Sequence, residues 1–229
     1  MNVLITAGNT QTPLDAVRCI TNIFTGKTGA RLALEAYDRG HAVRFFTSHQ
    51  EVIFALRPGF MADAARWIVQ PYRTFDDLHT LLAQHVPHDA FDAIIHCAAV
   101  SDYALQGVYV KGADALHEVA SIGKISSVHP ELWLKLVRTP KLIDFMRSTW
   151  NYRGLLVKFK LEVEKSDEEL IAIARTSRQH SQADFLVANT LASYESRAII
   201  CDSTDVIHPV NRDALATTLW NMLEAYRLE

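Results

Sequence analysis

The segment Thr21-Asn22-Ile23-Phe24-Thr25-Gly26-Lys27-Thr28-Gly29 puts a lysine and two glycines together in the manner of a phosphate-binding loop. A Walker loop also needs a glycine five positions before its Gly-Lys pair. It must leave its strand directly, so that successive backbone N–H groups wrap the phosphates. Position 21 is threonine, and residues 8–25 separate Gly26 from the first apolar run, so the Walker reading fails. The dinucleotide reading fails too, because Gly8-Asn9-Thr10-Gln11-Thr12-Pro13 contains no G-x-G-x-x-G to admit a pyrophosphate to the backbone. Thr47-Ser48-His49 supplies no carboxylate for ribose hydroxyls, and none of the seven tyrosines is followed four residues later by lysine. What survives is a helix start, Gly26 to Gly29, whose free N–H groups together with Lys27 favour an anion. The same glycines would equally serve close helix–strand packing. No Ser-His-Asp, thiol–imidazole or metal triad is visible, and His85 and His88, beside Pro87, read as a solvated loop.

The elements that must position these residues alternate. Val3 to Thr6 is an apolar run ending in Ala7-Gly8, as expected of a strand buried on both faces. A helical pattern over 28–38 stops at Gly40, and strands are predicted at 42–47, 66–70 and 91–97. Thr74-x-x-Asp77 opens a helix to residue 85. Further on come a helix over 140–149, a strand at 155–161 and a helix opening at Ser166-x-x-Glu169. Strands at 184–188 and 197–201 and a closing helix over 211–227 complete the chain. This rhythm predicts an α/β protein with a Rossmann-like, doubly wound, mostly parallel sheet. Residues 101–130 break it with mixed polarity, three glycines and no sustained period, as expected of a mobile lid inserted in one domain spanning 1–229.

Of the 229 residues, 49% are hydrophobic and 21% charged, with a net charge of -3, which argues against a nucleic-acid groove. No apolar stretch approaches a membrane span, and no basic segment followed by an apolar run opens the chain. Cys19, Cys97 and Cys201 are far apart and odd in number, so a reducing cytoplasm is expected rather than a disulfide framework.

Read in order, several blocks resemble phosphopantothenate–cysteine ligase, also called phosphopantothenoylcysteine synthetase. TAGNTQTPLDAVRCITNIFTGKTG is similar to that family's TAGGTxEPIDxVRxISNxSSGKMG. Ala98-Ala99-Val100-Ser101-Asp102-Tyr103 resembles AAVADY, Lys124-Ile125-Ser126-Ser127 the KIKK or KISS motif, and Arg138-Thr139-Pro140-Lys141 the KTPK motif. Val157 to Leu161 resembles GFKL, and Ala183-Asp184 with Val187-Ala188-Asn189 resembles ADxxVAND. Together the blocks run from residue 3 to 201, and KISS and AVSDY resemble the stand-alone bacterial branch.

The resemblance implies a soluble homodimer that activates 4′-phosphopantothenate as an acyl-nucleotidylate and passes the acyl group to cysteine. CTP is the implied nucleotide, with ATP the alternative, and Mg²⁺ the implied metal. It assigns Asn22, otherwise a turn former, to the reacting acyl group. Asp102, otherwise a cap or turn residue, goes to the phosphates and Mg²⁺, and Lys124, otherwise a surface lysine, to charge neutralisation on the lid. Gly8, Gly26, Lys27, Ala98, Ala99, Phe159, Lys160 and Asn189 are implied to line the substrate and nucleotide sites. Asp15 and Arg18 belong to the first loop, where Arg18 either meets the pantothenate phosphate or braces the loop. The sequence departs from the family at Asn9, tolerable if its φ is positive, and at Ser126 and Ser127, which leave the triphosphate to Lys124, Lys27 or Lys160. Lys158, in place of glycine, is expected to crowd the nucleotide base, and Thr190 stands where VAND has its aspartate. The two rival readings are an NAD(P)-linked oxidoreductase on the same fold and a homologue that binds these ligands without joining them.

Overall fold

The structure, a computed structural model, describes residues 1–119 and 123–228; residues 120–122 of the expected lid lie outside the described residues. The first apolar run forms β1 (Asn2–Ala7), whose Val3, Leu4, Ile5 and Ala7 are fully buried. Next come two short paired strands, β2 (Gln11–Pro13) and β3 (Cys19–Thr21), which no periodicity marked. Helix α1 (Lys27–Asp38) and β4 (Ala42–Thr47) follow, then α2 (Glu51–Leu56), β5 (Trp67–Pro71), α3 (Phe75–His85) and β6 (Ala93–His96). After an antiparallel insertion of β7 (Tyr103–Lys111), β8 (Leu116–Val119) and β9 (Trp133–Arg138), alternation resumes with α4 (Leu142–Ser148), β10 (Leu155–Glu162) and α5 (Asp167–His180). The chain closes through β11 (Phe185–Thr190), β12 (Arg197–Cys201), β13 (Ile207–Asn211) and α6 (Leu215–Leu228).

Eight strands form one sheet in the order β13-β12-β11-β10-β6-β1-β4-β5. The six from β5 to β11 are parallel, and β12 and β13 run antiparallel at one edge. Numbered by appearance, the parallel strands read 3-2-1-4-5-6, and the order reverses between β1 and β6. Both faces are covered. Val3, Ile5 and Phe45 pack with Leu32 of α1 and Trp220 of α6. On the other face Leu4 and Ile94 pack with Leu78 and Leu82 of α3 and with Met146 of α4. Each such side chain contributes about 1.5–3 kcal/mol by leaving water. Both sequence-read capping boxes form. Thr74 Oγ1 accepts from Asp77 N while Asp77 Oδ2 accepts from Thr74 N, and Ser166 and Glu169 do the same for α5.

Two expectations are corrected. The insertion is not irregular, because β7 pairs antiparallel with both β8 and β9 in a three-stranded sheet. All six residues of β9 are exposed. A strand without one buried face has no reason to alternate, which is why it carried no period. The closing helix begins at Leu215 rather than 211, because residues 207–211 form β13, an outermost strand that accommodates Pro209.

Candidate active site

A cavity of 480 Å³ opens where the strand order reverses, at the carboxyl ends of β1 and β6. Gly8, Gly26 and Lys27 line it from the first loop and α1, Ala98 and Ala99 from the end of β6, Phe159 and Lys160 from β10, and Asn189 from β11. Eight residues drawn from five separated segments thus converge on one space. A shallower depression of 580 Å³ beside the start of α3, lined by Arg73, Asp76 and Asp77, holds none of the expected site residues.

Gly26 caps α1 with φ 87, and a Cβ there would lie 2.2 Å from the backbone N of Gly8. Only glycine permits that contact, which turns the first N–H groups of α1 toward the cavity. Gly29 satisfies the packing alternative, since a Cβ on it would meet Ala7 Cβ at 2.5 Å. The two readings of this pair therefore divide between its members.

Asn22 sits on the rim. Its Nδ2 donates to Ala99 O at 2.9 Å, tying the first loop to the end of β6. Asn9 is the brace behind it, with Nδ2 donating to Asn22 O at 2.7 Å and Oδ1 accepting from Ser48 Oγ at 3.4 Å. The condition set for Asn9 is corrected here. The positive φ of 89 falls on Gly8 and none on Asn9, whose side chain is accommodated because it is used.

Arg18 does not reach the cavity. Its Nε and Nη2 donate to Asp15 Oδ2 at 3.0 and 2.6 Å, and Nη2 also donates to Ile125 O at 3.0 Å. Asp15 further accepts from the N–H groups of Val17, Arg18 and Ile125. The Arg18 guanidinium and then these N–H groups hold the carboxyl well below the usual carboxylate range. Arg18 is a brace, and what it braces is the insertion at Ile125. Lys124 is exposed between that anchor and Gly123 O, which accepts from Ala16 N at 3.2 Å. Asp102 is also outside the cavity lining, its carboxylate paired with the ammonium of Lys141. None of Asn22, Asp102 and Lys124 lines the cavity, and of the three Asn22 alone is tied to a lining residue by a hydrogen bond among the described residues, through Ala99 O.

Lys158 is a correction of position. Phe159 and Lys160 line the cavity, whereas Lys158 Nζ is drawn away to Ser177 O of α5 at 3.1 Å and to Oγ of Ser181, its C-cap, at 3.3 Å. It does not crowd the cavity. Thr190 Oγ1 shares a 2.8 Å hydrogen bond with Ser193 Oγ. His85 is no solvated loop residue, since it ends α3 and shares its Nδ1 with Asp89 Oδ2 at 2.8 Å. Beneath the cavity, His96 Nδ1 and Thr6 Oγ1 lie 2.9 Å apart, and burial pushes that imidazole down to about 4. Among the described residues no group of three or more His, Cys, Asp or Glu is arranged to hold a metal ion.

Sequence reasoning missed the far wall, made by Tyr194, Glu195, Arg212 and Asp213, with Phe24 and Arg31 beside them. The Phe24 and Tyr194 rings meet edge-on at 5.6 Å. No local spacing announces Tyr194, Glu195, Arg212 and Asp213, which arrive by the antiparallel edge of the sheet, whereas Phe24 and Arg31 come from either side of the Gly26–Gly29 turn.

A doubly wound sheet with a partly aromatic cavity at its switch point, lined by Lys27, Arg31, Lys160 and Arg212 as well as Glu195 and Asp213, defines a Rossmann-like α/β protein. The chain belongs to the family of the DNA/pantothenate metabolism flavoprotein C-terminal domain, which it matches over residues 1–222. The coenzyme A biosynthesis bifunctional protein CoaBC of Thermococcus kodakarensis is 30% identical over 227 residues, covering 97% of this chain and 50% of the relative. Its Escherichia coli counterpart is 28% identical over 203 residues, 84% of this chain and 41% of that one. The chain thus spans about half the length, or less, of these curated relatives. The solved DNA/pantothenate metabolism flavoprotein from Streptococcus pneumoniae superposes with a TM-score of 0.83 at 27% identity, covering 99% of each chain. A Cab2 variant in complex with phosphopantothenate-cysteine shares the fold, with a TM-score of 0.71 at 15% identity over 99% of this chain and 88% of that one. Among the described residues no helix is long and apolar enough to cross a membrane.

Proposed function

We propose that this chain is a phosphopantothenate–cysteine ligase domain, joining 4′-phosphopantothenate to L-cysteine with CTP as co-substrate. The observation that carries the reading is the convergence of eight expected residues on the switch-point cavity, with the Asn22 amide fixed at its rim. In the first half-reaction the pantothenate carboxylate oxygen attacks the α-phosphorus of CTP and pyrophosphate leaves. In the second, the cysteine amine attacks the acyl carbon, loses a proton and displaces CMP.

The chain's own groups suit positioning and charge stabilisation rather than covalent catalysis. Lys27 and the opening N–H groups of α1 meet phosphate charge, and Phe159 offers a face to the base. The Asn22 amide donates toward the acyl oxygens, which requires it to exchange Ala99 O for substrate. Lys124, next to Ile125, which the Asp15–Arg18 pair anchors, adds an ammonium when the insertion covers the site as a lid. Mg²⁺ would take Asp102, an exposed carboxylate paired with Lys141, together with nucleotide phosphate oxygens. One carboxylate plus phosphates is an ordinary way to hold this ion, and it would offset the polyphosphate charge.

A second copy of the chain belongs to the proposal. The insertion exposes Tyr103, Trp133, Leu134 and Leu136, apolar side chains that a second copy would cover. The three free thiols Cys19, Cys97 and Cys201 suit a reducing cytoplasm. The 3-2-1-4-5-6 strand order also favours a nicotinamide dinucleotide enzyme, and titration with NAD and NADP separates the two, with no binding expected. The direct test is product formation from 4′-phosphopantothenate and cysteine with CTP and ATP side by side. Faster turnover with CTP is expected. Ligand binding without product would make the chain a non-catalytic homologue.

A further inference from the structure

We infer that Arg212 is a phosphate-recognition residue of the switch-point cavity, its guanidinium forming with Lys27 a receptor for a phosphate or polyphosphate group. Arg212 lies in the turn between β13 and α6, and its backbone N–H donates to Ser196 O at 2.9 Å. From there the half-buried side chain reaches the cavity wall, where Nη2 donates to Thr28 Oγ1 in the first turn of α1. That bond aims the guanidinium at the place where Lys27 and the freed N–H groups of α1 converge.

The partners it lacks are as informative. Among the described residues no carboxylate lies within ion-pair distance of Arg212. Its neighbour Asp213 instead approaches Arg31 at 3.7 Å, with an almost fully exposed side chain. Glu195, on the same wall, accepts from the Tyr194 hydroxyl at 3.0 Å. Arg57 and Arg197 hold carboxylates and rise above the ordinary guanidinium range through their bonds to Asp38 and Asp167. Arg212 moves the other way, lowered by burial first and by the like charge of Arg31, against opposing raises from Cys97 and Tyr194. A partly desolvated guanidinium without a counter-ion is unfavourable in the free protein, and an anion seated in the cavity removes that penalty. The planar fork suits two phosphate oxygens at once, which an ammonium cannot match. The inference rests on the proposed ligase reading only in naming the anion's carrier, either the nucleotide polyphosphate or the pantothenate phosphate.

Calorimetric titration of wild type, Arg212→Gln and Arg212→Lys with inorganic tripolyphosphate, CTP and 4′-phosphopantothenate tests it, with thermal melts in parallel. Arg212→Gln is expected to weaken tripolyphosphate at least tenfold and to flatten the dependence of log Kd on log salt, a change that mere loosening of the turn would not produce. Arg212→Lys should recover part of the affinity. Whichever of CTP and 4′-phosphopantothenate weakens in step identifies the carrier. If Arg212→Gln does not fold, Thr28→Val serves instead, and about threefold weaker tripolyphosphate binding is expected. Wild-type affinity for all three probes in the folded variant, or no binding of any probe by wild type, overturns the inference. Arg212-dependent binding without ligation would sink the ligase reading and leave this one standing.

Discussion

Replacing Asn9 probes the link between the fold and the rim most closely. The side chain is 4% exposed and holds the first loop through its 2.7 Å bond to Asn22 O, with a longer 3.4 Å contact from Ser48. A net hydrogen bond contributes about 0.5–1.5 kcal/mol, so Asn9→Ala should cost roughly 1–2 kcal/mol, with the shorter bond supplying most of it. For a chain of this size that is a fall in Tm of about 2–8 °C. The functional loss should be larger than the structural one suggests. An amide aimed at developing oxyanion charge supplies about 3 kcal/mol, and loosening its backbone by half of that slows turnover about tenfold. Asn9→Asp separates shape from donor, because it keeps the outline but sets a carboxylate oxygen against the Asn22 carbonyl. It should melt no higher than Asn9→Ala at neutral pH and turn over no faster, with nucleotide affinity within about twofold of wild type. An Asn9→Asp protein with wild-type Tm and turnover would refute this account of the rim.

Three further outcomes are expected. Asn22→Ala removes one exposed hydrogen bond, so it should shift Tm little while slowing pyrophosphate release about a hundredfold, and wild-type release would take Asn22 out of the site. Lys124→Gln should slow activation more than it weakens nucleotide binding, and equal losses would make it a plain binding residue. His96 is neutral in the native protein down to about pH 4, whereas the unfolded chain takes up its proton near pH 6.5. Stability should therefore fall as pH drops between those values, by up to about 3 kcal/mol, with His41, also lowered by burial, adding in the same direction. His96→Gln should flatten that slope in urea melts, and an unchanged slope would contradict the assignment.

The sheet was legible because its strands are buried on both faces. Val3 to Ala7 and Phe185 to Ala188 are nearly continuous apolar runs, and the intervening helices carry caps whose bonds form as read. The insertion was not legible, since Trp133 to Arg138 lie open to solvent and no buried face imposes alternation. Asp15 and Arg18 stood in the sequence as a loop pair, but their grip on Ile125, 110 and 107 residues away, is a tertiary fact. The same holds for Arg212, which meets Thr28 across 184 residues. Lys158 was misplaced for the same reason, because the contacts that draw its ammonium away, to Ser177 O and Ser181 Oγ, lie 19 and 23 residues along the chain.

The most direct measurement omits cysteine. The protein is mixed with 4′-phosphopantothenate, CTP and Mg²⁺, quenched within one turnover and analysed by mass spectrometry. The account predicts one equivalent of 4′-phosphopantothenoyl-CMP per site together with pyrophosphate, and its conversion to the cysteine amide and CMP when cysteine is then added. Intact CTP in the wild-type protein, with ATP equally untouched, would contradict it.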